Sequence, residues 1–252
     1  MAKTETGLKY SAQITACKTS KWLIEAIDLL IPTSKEFAPI LHQGTEPRKT
    51  DSGGKAKSRI RLNIVDYSKG TGEKKVSVYA NLAPERIHYL YLACRACIAF
   101  QLLGRSCAFE WSEEKLLSHN TTDGRAPVNK IRVTRDNQPG SDGKPRNNPW
   151  TVSILNGTGI PQTSQKGGVY VKRDSFTETG RAAAYFSDYS LFAFLQRCTD
   201  YLRVWENQVG GQLVAEYMQL KKAAYIHKEF YDNGVIPEGW NPEDFLPADT
   251  AA

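Results

Sequence analysis

The segment Arg59-Ile60-Arg61-Leu62-Asn63-Ile64-Val65-Asp66 constrains the fold more than any other stretch of the chain. Ile60, Leu62 and Ile64 fall on one side of an extended backbone, and Arg59, Arg61 and Asn63 on the other. A strand of this kind has one face for a core and one for water. Residues 68–72 hold two glycines and read as a turn. Residues 75–80 return as the partner strand, with Val76, Val78 and Ala80 inward and Ser77 and Tyr79 outward. A helix follows at once: Asn81 or a near neighbour caps it, Pro84 suits its first turn and Glu85 suits its positive end. Ile87, Leu90, Cys94 and Ile98 form its apolar stripe, and it ends near Gly104.

A second cationic run leads to a second apolar helix over residues 128–205. Residues 130–134 and 150–155 read as strands joined by a polar loop at 136–149, and Asn156-Gly157-Thr158-Gly159 reads as a hairpin turn. Residues 168–172 and 181–186 read as further strands, after which Asp188 caps a helix running through Trp205. The two helices overlay with Cys94 on Cys198, Ile87 on Leu191, Leu90 on Phe194 and Ile98 on Leu202. This makes an internal duplication of a strands-then-helix unit a candidate, with chance similarity between two amphipathic helices as its rival. The fold class expected is α+β: antiparallel sheets with helices on one side.

Elsewhere the pattern predicts a weak strand over residues 8–16, a helix over 22–31 stopped by Pro32, and a loop over 39–57. Gly210-Gly211 is expected to break the chain before a last helix at 212–232. The organisation expected is one globular domain over residues 1–236, with repeats at about 1–110 and 128–208, and a flexible acidic tail over 237–252.

Charge narrows the function classes. The 252 residues carry 33 Lys and Arg against 27 Asp and Glu. The excess is concentrated: residues 44–75 and residues 128–181 each hold nine basic and four acidic side chains, whereas residues 229–252 hold six acids and no Lys or Arg. No apolar run approaches a membrane span, and the first residues lack the apolar core of a signal peptide, so a cytoplasmic protein is expected. The five cysteines are an odd number in mostly apolar helical context, which fits reduced thiols.

Catalytic motifs are missing. Cys94 and Cys97 have the spacing of half a zinc knuckle, but the other half is absent, and on a helix both thiols can face the core. The four histidines share no spacing, and no phosphate-binding loop or nucleophile elbow occurs. No cofactor and no metal are expected.

The candidate binding residues are strand cations with interleaved aromatics. Arg59, Arg61, Lys130 and Arg132 alternate outward on two strands. Lys166, Tyr170, Lys172 and Arg173 cluster around Gly167-Gly168, where the backbone can approach a phosphate. Tyr79, Tyr170 and Trp150 are candidate stacking platforms for bases. Against this stands the plainer reading of solvated charges that keep strand edges soluble.

Strands followed by a helix, twice, with basic sheets, resembles the Whirly and transcriptional positive-cofactor-four superfamily across residues 57–205. The Whirly Lys-Gly-Lys-Ala-Ala-Leu signature is absent, with Gly54-Lys55-Ala56-Lys57 a faint echo of it in a loop. The resemblance implies sequence-tolerant binding of single-stranded DNA by Lys, Arg and aromatic residues. The glycine-rich turns and acidic tail are also similar to those of small accessory proteins of phages and conjugative elements. The function expected is therefore non-catalytic binding of single-stranded DNA, with RNA as the alternative strand, homo-oligomers a candidate state and a protein partner a candidate for the acidic tail. The competing readings are an assembly protein whose helices oligomerise, and a metal-dependent nuclease using acids such as Asp66 and Asp136.

Overall fold

Two antiparallel meanders of four strands, each followed by a helix, make up the fold. In the computed structural model, residues 12–31, 58–100, 106–114, 123–165 and 169–233 are described, with backbone alone at 99–100, 113–114 and 212–233. The first sheet has the order β1 (Gln13–Lys18), β2 (Trp22–Leu29), β3 (Arg59–Asp66), β4 (Val76–Leu82), and leads into α1 (Pro84–Phe100). The second contains β5 (Cys107–Glu114), β6 (Ala126–Arg135), β7 (Trp150–Gly159) and β10 (Thr177–Phe186), in the order β10-β7-β6-β5, and leads into α2 (Asp188–Asn233). Between β7 and β10 a small ribbon of β8 (Pro161–Thr163) and β9 (Val169–Val171) is inserted. The chain divides into two units, Met1–Ile31 with Lys57–Leu202 and Pro32–Ala56 with Arg203–Ala252. Both sheets belong to the first. The expected α+β class with antiparallel sheets is the one observed.

The alternation of the sequence sets which face is buried. On β3, Ile60, Leu62 and Ile64 are buried, while Arg59, Arg61 and Asn63 are half-exposed. Tyr79 pairs with Asn63 and Asn81 with Arg61, so the β3–β4 hairpin has the register its alternation predicts. The second sheet behaves alike: Ile131 and Val133 of β6 pair with Ile154 and Val152 of β7 and are buried, while Lys130 and Arg132 lie on the other face.

The core joins these inner faces to the helices. Ile87, Leu90 and Cys94 of α1 and Leu191, Phe194, Cys198 and Leu202 of α2 are buried. The offset that overlays the helices also overlays Val78, Ala80 and Leu82 of β4 on Ala182, Ala184 and Phe186 of β10, all buried. Phe186 lies 5.5 Å from the Trp22 ring and 5.9 Å from that of Phe194. Burying this apolar surface is the main stabilising contribution.

Five sequence expectations are corrected. Residues 22–31 are not a helix; they contain β2, in which Trp22, Ile24 and Ala26 are buried and Leu23, Glu25 and Ile27 alternate outward. Asn156-Gly157-Thr158-Gly159 is not a turn but the end of β7. Its glycines provide room: a Cβ on Gly157 would lie 2.3 Å from the Thr177 carbonyl oxygen and 2.6 Å from the Phe176 ring. Asn81 is not a cap but a strand residue, and its Oδ1 accepts from Arg61 Nε at 3.0 Å. Ser187 rather than Asp188 caps α2, its hydroxyl oxygen accepting from the Ser190 amide at 3.1 Å. Gly210-Gly211 does not interrupt α2, because a glycine costs only about 1 kcal/mol in a long helix. Residues 1–11, the loop at 39–57 and the acidic tail at 237–252 lie outside the described residues.

Candidate nucleic-acid interface

Three groups of cations and rings arise on outward faces of the first unit. On the first sheet, β3 presents Arg59 and Arg61 beside Tyr79 and Asn81 of β4. The Arg61 guanidinium sits 4.5 Å from the Tyr79 ring centroid while donating to Asn81. It is thereby held flat and outward, and among the described residues no carboxylate pairs with it. Arg59 Nη1 donates to the Ser58 carbonyl at 2.6 Å. In the neighbouring row the Glu25 carboxylate is held by neutral amides, accepting from Gln13 at 2.6 Å and from Asn63 at 2.8 Å.

On the second sheet, cross-strand register assembles two outward rows. One runs Glu110, Arg132, Ser153, Ala183, and the next Ser112, Lys130, Leu155, Arg181. Phe176 lies over Gly157 at the end of these rows, and Lys130 Nζ stands 4.1 Å from its ring centroid. Together Glu110, Lys130, Arg132, Ser153, Leu155, Phe176, Glu178 and Arg181 line a groove of about 500 Å³. Arg181 pairs with Glu178 at 2.7 Å, and Arg132 stands 3.9 Å from Glu110. Cation–ring contacts of this kind are worth about 0.5–1 kcal/mol at exposed sites, enough to orient a guanidinium but not to hide it.

The third group is the inserted ribbon. Tyr170 is 43% exposed, and alternation puts it on the same side as Lys172. Lys172 and Arg173 are exposed, and Lys172 is anchored through its backbone amide to Ile160 at 2.8 Å. The ribbon folds back onto β7 because Gly159 leaves room for Val171, whose Cγ1 would be 2.3 Å from a Cβ there. Lys166 lies outside the described residues.

Trp150 is the misassigned residue. It is 0% exposed, and its indole Nε1 donates to Asp188 Oδ1 at 2.7 Å, so no base can reach it. It belongs to a structural triad. Arg135, 8% exposed, forks onto both Asp188 oxygens at 2.9 and 3.1 Å. Burial disfavours the Asp188 charge, but hydrogen bonds from Arg135 and Trp150 and the guanidinium charge outweigh it and hold the carboxyl below its usual range.

Arg181, Phe176, Glu110 and Glu178 escaped the sequence reading. Arg181 opens a strand that was foreseen, so its outward position was available from alternation. Glu110 was not, because β5 was not foreseen at all. Its signal is the alternation of Cys107, Phe109 and Trp111 with Ala108, Glu110 and Ser112.

The two nuclease candidates have local tasks. Asp66 Oδ1 accepts from the Ser68 amide at 2.7 Å, and Asp136 Oδ1 from the Gln138 amide at 2.9 Å while its other oxygen meets Arg146 at 3.3 Å. Each closes its own turn. Among the described residues no three His, Cys, Asp or Glu side chains are grouped to hold a metal ion, and no helix is long and apolar enough to cross a membrane. No family model and no curated protein matches this sequence.

Proposed function

We propose that this chain binds single-stranded nucleic acid without catalysis, DNA ahead of RNA, through the outward faces of its sheets and the inserted ribbon. The observation that carries the reading is the pairing of cations with rings on the faces of both sheets, Arg61 over Tyr79 and Lys130 over Phe176, to which the ribbon adds an exposed Tyr170 and the exposed Lys172 and Arg173. Cations meet the phosphates of a flexible strand, and rings accept bases whatever their identity. The resemblance of the sequence to the Whirly and positive-cofactor-four superfamily, which rests on element order alone, points the same way. Five free thiols support a cytoplasmic setting.

Fluorescence anisotropy of labelled single-stranded DNA, single-stranded RNA and duplex DNA tests the reading. Affinity for the single strand should fall by at least tenfold between about 50 mM and 200 mM salt. No binding at the lower salt overturns it. Strand cleavage on adding magnesium or manganese in the same tubes would favour the nuclease instead.

An assembly role is the second reading, on one observation. Tyr89 and Leu92 of α1 and Tyr189 of α2 are 58%, 59% and 78% exposed, and Tyr189 and Phe192 line a shallow groove with Ile98. Large apolar side chains grouped on a surface mark protein contacts. A stable oligomer indifferent to nucleic acid would favour this reading.

A further inference from the structure

The groove on the second sheet is built differently from the other cationic surfaces. Among the described residues no carboxylate pairs with Arg61, Lys172 or Arg173, as suits a backbone-binding surface. The groove instead sets Leu155 as an apolar floor between Lys130 and Arg181, with the Phe176 ring as a wall. Into the same space it brings two carboxylates. Two of the three Arg181 guanidinium nitrogens, Nε at 3.2 Å and Nη2 at 2.7 Å, reach a single Glu178 oxygen, Oε2. Arg132 Nε stands 3.9 Å from Oε2 of Glu110, a loose pair between two exposed side chains. Among the described residues no hydrogen bond reaches Oε1 of Glu178 or Glu110, and both side chains line the groove that Leu155 also lines.

That combination fits a ligand that is flat, apolar on its faces, a hydrogen-bond donor on one edge and attached to phosphate. We propose that the groove takes one base of a bound single strand and selects bases carrying an exocyclic amino group, cytosine over thymine. The inference rests on the single-strand reading above and adds a sequence preference to it. Cytosine and thymine match in size. They differ at position 4, where cytosine carries an amino donor and thymine a carbonyl acceptor. A carboxylate accepts from the first and repels the second. Lys130 and Arg132 are left to meet the phosphates on either side. The volume of about 500 Å³ lies within the ordinary range of small-ligand sites.

The test compares oligo(dC) with oligo(dT) of equal length by anisotropy at pH 8, where cytosine is unprotonated. It uses the full chain and the Glu110→Gln, Glu178→Gln double variant. Both glutamates sit on the surface, so the variant should fold normally. The wild type should bind oligo(dC) about fivefold more tightly, the equivalent of one hydrogen bond. The variant should lose the preference chiefly by binding oligo(dT) more tightly, since a carboxamide also donates. Equal binding of the two oligonucleotides by the wild type, or a preference that survives in the variant, overturns the inference and leaves single-strand binding standing. Binding of neither overturns both.

Discussion

The Asn156 side chain takes the place of a neighbouring strand for Tyr79. Its Oδ1 accepts from the Tyr79 amide at 2.9 Å, and its Nδ2 donates to the Tyr79 carbonyl at 2.7 Å and to Asn129 Oδ1 at 2.7 Å. β4 is an edge of the first sheet, and this contact joins it to β7 of the second.

Asn156→Ala leaves two backbone groups of Tyr79 without their partner. The expected loss is about 2–3 kcal/mol, read as a lower urea midpoint. Asn156→Asp should recover little, because a carboxylate cannot donate to the Tyr79 carbonyl. A variant as stable as wild type would mean that water replaces the carboxamide.

The Arg135–Asp188 pair should make stability depend on acid. The folded Asp188 carboxyl has a lowered pKa, so it contributes above the ordinary carboxylate value near about 4 and loses that contribution as pH falls through its folded value. Asp188→Ala strands a buried guanidinium and should cost about 3 kcal/mol at neutral pH. Urea midpoints between neutral and acid pH should show a flatter profile for the variant.

Lys172→Glu with Arg173→Glu should weaken binding to single-stranded DNA and lower the slope of log affinity against log salt by about 1.4, the share of two phosphate contacts. Wild-type affinity in this pair would remove the ribbon from the interface.

Gly157→Ala should destabilise by roughly 2–3 kcal/mol, because the new methyl meets a backbone oxygen that cannot rotate away. Thermal melting should register the loss.

Thiol alkylation should be slow in the folded chain at pH 8. Burial, with smaller contributions from neighbours that include a hydrogen bond with Cys97, pushes the Cys107 thiol up to about 12. Burial pushes Cys198 up to about 12 and Cys94 upward as well. Mass spectrometry after iodoacetamide treatment should find these three unlabelled until urea is added.

Much of the fold was legible because alternation and burial agree over 59–82 and 181–202. Residues 22–31 were misread because Leu23 and Ile27 are apolar on the outer face, which erases the period of two and leaves a run that suits either structure. The glycines at 157 and 159 were misread because sequence does not separate a glycine needed for a turn from one needed for close approach. Trp150 was misassigned for a related reason: an aromatic at the start of a strand is equally suited to stacking bases and to sitting under a helix terminus. Only the later position of Asp188 decides between them. The outward cations of β3 and β6 needed alternation alone. The groove needed β5, β6, β7 and β10 side by side, and no local pattern supplies that order.

The Asp188 contacts also bear on how the chain tolerates change. Arg135 closes β6 and Trp150 opens β7, and both are held by the one carboxylate, while the Asp136 amide meets the Pro149 carbonyl at 2.9 Å. The loop between them is thus a side branch whose two ends are fixed independently of its length. Lengthening such a loop costs little, because closure entropy grows only slowly with length. Residues 137–148 are therefore where inserted sequence, a reporter or a second binding module can be accepted, and where related chains are free to differ most in length.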